Sequence, residues 1–180
     1  MAVRSIVKMG TPGLFKKSDP WPSGKFDSPQ LHALLADMKD SMIAAKGAGL
    51  AAPQIGENVR VVIFEVVNNV RYPNREPIPF TVLINPQLTP SSEAQVEDWE
   101  GCLSVPGMRG LVPRAPTLRY TGFDQFGHAI DRTVSGFHAR VVQHEVDHLD
   151  GVLYPMRMTD MTKLGYTEVL FPELVGVDDD

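Results

Sequence analysis

The chain has 180 residues, of which 43% are hydrophobic and 22% charged, proportions typical of a globular protein. This length suits a single domain over residues 1–180. The formal net charge of −5 excludes a strongly basic surface for nucleic acid, and no apolar run is long enough to span a membrane.

The first predicted element is a helix that begins at Pro29. Serine is a favoured N-cap residue and proline is favoured at the first helical position, which is the order of Ser28 and Pro29. Apolar residues then recur at helical spacing, at Leu31, Leu34, Leu35, Met38, Met42 and Ile43. The pattern ends at Gly47.

Small residues dominate the segment that follows, residues 47–54, with the sequence G-A-G-L-A-A-P-Q. Small side chains and glycine dihedral freedom would let another peptide backbone approach closely. Gln54 ends the segment with an amide N–H donor, a group that can stabilise a developing oxyanion. Taken alone, the segment is more typical of a helix C-cap followed by a turn.

Several strands are predicted downstream. Residues 59–67 are rich in β-branched side chains, and residues 81–84 form a second short apolar run. Residues 117–124 and 130–134 resemble a hairpin, while residues 68–79 contain three prolines and indicate a loop. The predicted fold is α+β, with antiparallel strands packed around a central metal-binding helix, which is the helix of the motif at residues 143–148 described below.

Cys102 is the only cysteine, so an internal disulfide is excluded. It lies in residues 100–107, E-G-C-L-S-V-P-G, whose glycines and proline favour a bent extended segment. A lone cysteine is often a small buried apolar residue, which is the alternative here. A free thiol suits a reducing compartment, and residues 1–10 lack an apolar secretion signal, so we expect a cytoplasmic protein.

Residues 143–148, Q-H-E-V-D-H, form the most informative motif. On a helix, His144 and His148 lie on one face and can bind the same ion. Glu145 is placed to reach a water molecule instead of the metal. Gly136 can open this helix and Gly151 can cap it. The alternative is a chance pair of histidines with an incidental glutamate.

Two histidines and the Cys102 thiolate would leave one tetrahedral position for water, as in catalytic sites. A structural site would be closed by a fourth protein ligand, and the chain has no second cysteine. His138 lies six residues before His144, out of phase for the same helix face, so we interpret it as a non-ligand.

The three segments together resemble the peptide deformylase family, whose motifs are G-x-G-L-A-A-x-Q, E-G-C-L-S and Q-H-E-x-D-H. Here the motifs occupy residues 47–54, 100–104 and 143–148 in the same order. The resemblance covers nearly the whole chain. It implies an enzyme that removes the formyl group from N-formylmethionine at the start of nascent chains. The enzyme is expected to be a monomer that acts near the ribosome.

The resemblance also implies roles for individual residues. Cys102, His144 and His148 would bind the metal, and Glu145 would act as general base and then general acid. The Gln54 side chain and the Leu103 backbone N–H would stabilise the oxyanion. The ligand types suit zinc, iron, cobalt or nickel, and affinity order alone favours zinc over iron. The resemblance implies Fe²⁺, with zinc, nickel or cobalt able to substitute.

Substrate contacts are expected from further residues. Phe137, Arg140 and Val141 share a helix face with His144 and could wall a pocket for the methionine side chain, or Phe137 and Val141 could be ordinary core residues. Arg140 departs from the apolar residue common in the family, and its charge is expected to reach solvent. The backbone contacts are assigned to Gly47, Gly49 and Gly101. Glu100 and Arg109 match family positions and are expected to form a supporting ion pair, with a plain surface pair as the alternative.

Other functions remain open at this point. A metallopeptidase with the same helix motif would cleave internal peptide bonds and act on unformylated peptides. A non-catalytic module would hold a structural metal in a closed site. A cysteine–histidine nucleophilic hydrolase would need no metal, so it would keep its activity in the presence of a chelator.

Overall fold

A computed structural model of the chain describes residues 2–67 and 75–174. It contains three α-helices and eight strands within those residues. The helices are α1 (Pro29–Ala44), α2 (Gly136–Leu149) and α3 (Thr167–Leu170). The strands are β1 (Gly49–Ala51), β2 (Val61–Val66), β3 (Ile78–Pro90), β4 (Val96–Cys102), β5 (Val105–Arg114), β6 (Thr117–Phe123), β7 (Ala129–Ser135) and β8 (Leu164–Tyr166). Short 3-10 helices occupy Pro12–Phe15, Ser23–Lys25, Ala52–Ile55, Tyr154–Arg157, Met161–Lys163 and Pro172–Leu174.

The strands form two antiparallel sheets. One sheet has five strands in the order β1-β2-β3-β6-β7, and the other has three in the order β4-β5-β8. Helix α2 packs against β1, β2 and β7 of the larger sheet. Its buried residues Val142 and Leu149 join a core cluster with Phe64 and Tyr120. The predicted α+β fold around a central helix is confirmed.

Helix α1 begins as the sequence predicts. The Ser28 side chain accepts a hydrogen bond from the backbone N–H of Leu31, at 3.3 Å, and Pro29 occupies the first turn. The buried apolar side chains of the helix are Leu31, Leu35, Met38 and Met42, which belong to one core cluster. Ile43 is 58% exposed, so the prediction that it continues the apolar pattern is wrong.

Strand β3 is longer than the predicted residues 81–84 and passes through Asn85 and Pro86. Asn85 has a positive φ of 51°, and the pairing with β6 shifts register there. Its side chain accepts from the Trp21 N–H at 2.8 Å and donates to the Trp21 carbonyl at 2.9 Å. These two hydrogen bonds stabilise the irregular backbone at Asn85, so β3 can continue beyond it. Ile78 and Pro79, predicted as loop, belong to β3, and residues 68–74 of that loop lie outside the described residues.

Helix α2 spans the predicted metal motif and ends as predicted. It begins at Gly136, which has a positive φ of 59°, and Gly151 beyond its C-terminus has a φ of 73°. The N–H groups of Gly151 and Val152 donate to the carbonyls of His148 and Asp147. These bonds close the last turn. No helix in the described parts of the chain is long and apolar enough to cross a membrane.

Candidate active site

Three candidate metal ligands meet where β4 ends against α2. Cys102 is the last residue of β4, and His144 and His148 lie one turn apart on α2. One ligand atom from each lies within 4.8 Å of the other two. Cys102 Sγ is 3.4 Å from His148 Nε2. The structure therefore brings the three predicted ligands together, whereas the His138 ring packs 5.7 Å from that of Phe64.

The chemistry of this cluster fits a divalent transition metal. Nδ1 of His144 lies 2.8 Å from Oε2 of Glu100, which orients the ring and leaves Nε2 for an ion. Burial raises the pKa of the Cys102 thiol, but the charges of His148 and His144 outweigh it and lower that pKa well below its usual range. The thiolate is the form that binds metals.

Glu145 lies beside the cluster with its carboxylate buried. Oε2 of Glu145 has no hydrogen-bond partner among the described residues. Burial raises its pKa to about 7, although the charges of His144 and His148 act in the opposite direction. The carboxylate packs directly against Gly49, where an added Cβ would lie only 2.6 Å from Cδ of Glu145. Residue 49 therefore has to be glycine for the carboxylate to occupy this place.

Gln54 is held on the other side of the sulfur. Its Oε1 accepts from the Ala51 N–H at 2.9 Å, which fixes the amide orientation. Its Nε2 donates to Ser104 Oγ at 3.1 Å and lies 3.7 Å from Cys102 Sγ. The amide N–H₂ thus faces the sulfur of the candidate metal ligand Cys102.

A narrow cavity opens onto these groups. Its walls come from the glycine segment, the β4–β5 hairpin and α2. The predicted residues that line it are Gly47, Gly49, Gln54, Glu100, Gly101, Cys102, Leu103, Phe137, Arg140, Val141, His144 and Glu145. Ala48, which belongs to the predicted segment 47–54, also lines it, and so does Trp99, which was missed. Strand alternation would place Trp99, three residues before Cys102, on the opposite face of the strand, so no sequence pattern indicates that it lines the cavity.

Arg140 differs from the sequence prediction. Its charge was expected in solvent, and this is wrong, because the side chain is only 8% exposed. Nη1 donates to Glu100 Oε1 and to the Val112 carbonyl, both at 2.8 Å, and Nη2 donates to the Val96 carbonyl at 2.7 Å. These acceptors replace water around the guanidinium, so the charge can be buried beside the cavity.

The predicted ion pair between Glu100 and Arg109 is also wrong. In the register of β4 and β5, Arg109 lies opposite Gly101, and Glu100 lies opposite Gly110. Neighbouring residues of a strand point to opposite faces, so Glu100 and Arg109 are on different sides of the sheet. Arg109 instead places its guanidinium 5.9 Å from the ring centroid of Phe171.

Glu100 belongs to a buried set of charges that we call the ion-pair network, consisting of Glu100, Arg114, Arg140 and Asp147. Arg114 donates twice to Glu100, at 2.9 and 3.0 Å, and once to Asp147, at 2.5 Å. Burial raises the pKa of Glu100, but Arg114 and His144 hold it well below its usual range. Arg157, half exposed, donates to Asp147 at 2.8 Å. The network therefore runs from the surface at Arg157 to the candidate metal ligand His144.

Comparisons with known proteins agree with the motifs. A sequence model of the family described as polypeptide deformylase matches residues 3–164. "Peptide deformylase 1" of Nitrosomonas europaea is 59% identical over 177 residues, which is 98% of this chain and 99% of the relative. A crystal structure of a class I type b peptide deformylase from Acinetobacter baumannii has a TM-score of 0.85 at 34% identity. The match covers 88% of this chain and all of that structure.

Another crystal structure of the Acinetobacter baumannii enzyme has Met-Ala-Ser bound. It has a TM-score of 0.82 at 34% identity, and it covers 87% of this chain and 100% of its own. The matches extend over the glycine segment, the cysteine hairpin and the metal helix together. They exclude the alternative of a metallopeptidase that cleaves internal bonds. The chain belongs to the peptide deformylase family.

Proposed function

We propose that this peptide deformylase removes the N-formyl group of formylmethionyl peptides with Glu145 as its proton-transfer residue. The observation that carries the proposal is the buried Glu145 carboxylate, whose Oε2 has no partner among the described residues and which adjoins the metal-ligand cluster. A carboxylate in that place can reach a water molecule without itself binding the ion.

Glu145 accepts a proton from the attacking water and returns it to the leaving amine, which yields formate and a free N-terminal methionine. Cys102, His144 and His148 would hold a divalent ion, which would supply Lewis-acid polarisation and lower the pKa of water. The pKa of Glu145, raised to about 7 by burial, suits a group that both accepts and donates a proton.

Negative charge that develops on the formyl oxygen is stabilised by two donors of the chain. The Gln54 amide is held in one orientation, because its oxygen accepts from the Ala51 N–H and its nitrogen donates to the Ser104 hydroxyl. The Leu103 backbone N–H is the second donor, and its residue lines the cavity next to Cys102. Donors already in position need no reorganisation during the reaction.

The substrate backbone binds along β1. This strand is at one end of the larger sheet, so an extended peptide can pair with it as an added strand. Gly47, Gly49 and Gly101 leave room for that backbone. The first side chain enters between Phe137, Arg140 and Val141. The Met-Ala-Ser peptide in the related Acinetobacter baumannii structure supports a peptide that begins with methionine.

The native ion is Fe²⁺ in this proposal, with zinc, nickel or cobalt able to replace it. One thiolate and two imidazoles support any of these metals and disfavour magnesium or calcium. The enzyme acts as a cytoplasmic monomer on nascent chains near the ribosome, where formylated N-termini emerge. Glu100 supports the site by orienting His144, and Arg109 supports the β4–β5 hairpin from its other face.

The test combines metal analysis of anaerobically purified protein with formate release from formyl-Met-Ala-Ser. We expect one Fe²⁺ per chain, and turnover that a chelator abolishes and added Fe²⁺ restores. Acetyl-Met-Ala-Ser is the matched control, since its extra methyl group should not fit between the ion, Gln54 and Leu103. Comparable rates on the acetylated peptide would contradict the proposal. Cys102→Ser should lose metal, because a neutral hydroxyl replaces a thiolate.

A further inference from the structure

The N-terminal segment, residues 2–9, contributes no helix or strand, yet its backbone is bonded to two elements that border the active-site cavity. The N–H of Val7 donates to the Gln54 carbonyl at 2.9 Å, and the N–H of Met9 donates to the Ser104 carbonyl at 2.7 Å. Gln54 lies in the 3-10 helix Ala52–Ile55, and Ser104 lies in the turn between β4 and β5. The N-terminal segment therefore bridges two residues that are 50 positions apart in the sequence.

Gln54 and Ser104 are also joined through their side chains. Nε2 of Gln54 donates to Oγ of Ser104 at 3.1 Å, and both residues are buried. This side-chain bond and the two backbone bonds from Val7 and Met9 close a ring of hydrogen bonds that includes Gln54. Gln54 is thus held through its backbone and its side chain at once. The position of such a donor decides how well it stabilises an oxyanion.

Further bonds attach the beginning of the N-terminal segment to the rest of the protein. The N–H of Arg4 donates to Oγ of Ser41 on α1, at 2.8 Å. The guanidinium of Arg4 donates to the Ile55 carbonyl at 3.1 Å, one residue beyond Gln54. The segment is therefore held in place before it reaches the residues that it bridges.

We propose that the N-terminal segment is a positioning element, which fixes the Gln54 amide relative to Cys102 and Leu103. No residue of the segment is among those that line the active-site cavity, so it would act through Gln54 and not on the substrate itself. This inference rests on the proposed function, in which the Gln54 amide stabilises the developing oxyanion. Because the contacts are backbone N–H groups, no side-chain pattern in residues 2–9 indicates this role.

Proline substitutions test the two backbone bonds, because proline has no N–H. Loss of a whole oxyanion donor costs about 10²–10³-fold in kcat, so we expect the displaced amide in Val7→Pro and in Met9→Pro to cost about tenfold. KM for formyl-Met-Ala-Ser and the metal content should stay near their native values. Lys8→Pro is the matched control and should keep the native kcat, since Lys8 lies between the two donors and neither bond uses its N–H.

Gln54→Met separates positioning from a general structural role. This variant keeps a long side chain without the amide, so it should itself lower kcat by about 10²–10³-fold. Val7→Pro should cause no further loss in the Gln54→Met background, because the group that it positions is gone. An equal loss of kcat in the native and Gln54→Met backgrounds would overturn the proposal. A native kcat in both Val7→Pro and Met9→Pro would also overturn it.

Folding and the proposed function are checked separately. If both proline variants lose their cooperative thermal transition, Arg4→Ala loosens the N-terminal segment without removing a backbone donor. It must then lower kcat at unchanged KM and metal content, and a native kcat in Arg4→Ala would overturn the proposal. Native enzyme that releases no formate would refute the proposed function. Normal turnover of the native enzyme, with proline variants that fold and are equally active, would refute the positioning role alone.

Discussion

The candidate metal site and the ion-pair network satisfy their polar groups in opposite ways. At the candidate metal site, Oε2 of Glu145 lacks a partner among the described residues, and the Cys102 sulfur adjoins both candidate histidine ligands. In the ion-pair network, Arg114 and Asp147 are bonded to each other and to further charges. The difference fits the proposed function. The groups proposed to bind an ion and water are available, and the groups proposed to hold them in place are fully hydrogen-bonded.

The largest expected effect comes from removing the available carboxylate. Glu145→Ala should lower the rate of formate release by about 10²–10⁴-fold, the usual contribution of a general acid–base group. Metal content should not change, because this carboxylate is proposed to contact water and not the ion. The measurements are formate release and metal stoichiometry, with Glu145→Gln as a variant of nearly the same shape. Loss of the metal in both variants would show that Glu145 is a ligand.

A smaller effect is expected where the ion-pair network meets the metal site. Glu100→Gln removes the charge that orients His144, and loss of such a partner typically weakens metal binding by about 10–100-fold. Competition with a chelator measures the affinity. Glu97→Gln is the matched control, since Glu97 lies in the same strand and pairs with Lys163 at the surface. Equal losses of metal affinity in the two variants would contradict the proposal that Glu100 orients His144.

The smallest effect is expected at the surface end of the network. Arg157 is half exposed, and exposed ion pairs contribute about 0.2–1 kcal/mol. Arg157→Ala should lower the free energy of unfolding by no more than this amount, because Arg114 still pairs with Asp147. Denaturant unfolding measures the change, and Lys163→Ala provides a comparison at another exposed pair. A fall in metal affinity would mean that the loss of Arg157 also disturbs the candidate metal site through the ion-pair network, which is not expected.

Residues whose positions depend on local geometry were predictable from the sequence. Helical spacing places His144 and His148 on one face, and the Ser28–Pro29 pair marks the start of α1. The ion-pair network was not predictable, because Arg114 and Asp147 are separated by 33 residues and meet only when β5 packs against α2. The environment of Arg140 was misjudged for the same reason. Its acceptors are carbonyls and a carboxylate on two strands whose register no local pattern reveals.

The single cysteine has a practical consequence for anyone who handles this protein. Because the sequence contains one thiol, a thiol-reactive reagent titrates one group per chain. That group is buried beside two imidazoles, so a bound ion would shield it further. The fraction of the thiol that is labelled slowly would then measure how many molecules carry metal, without any substrate. Oxidation of the same sulfur to a sulfenic acid would remove the thiolate donor and lower that fraction.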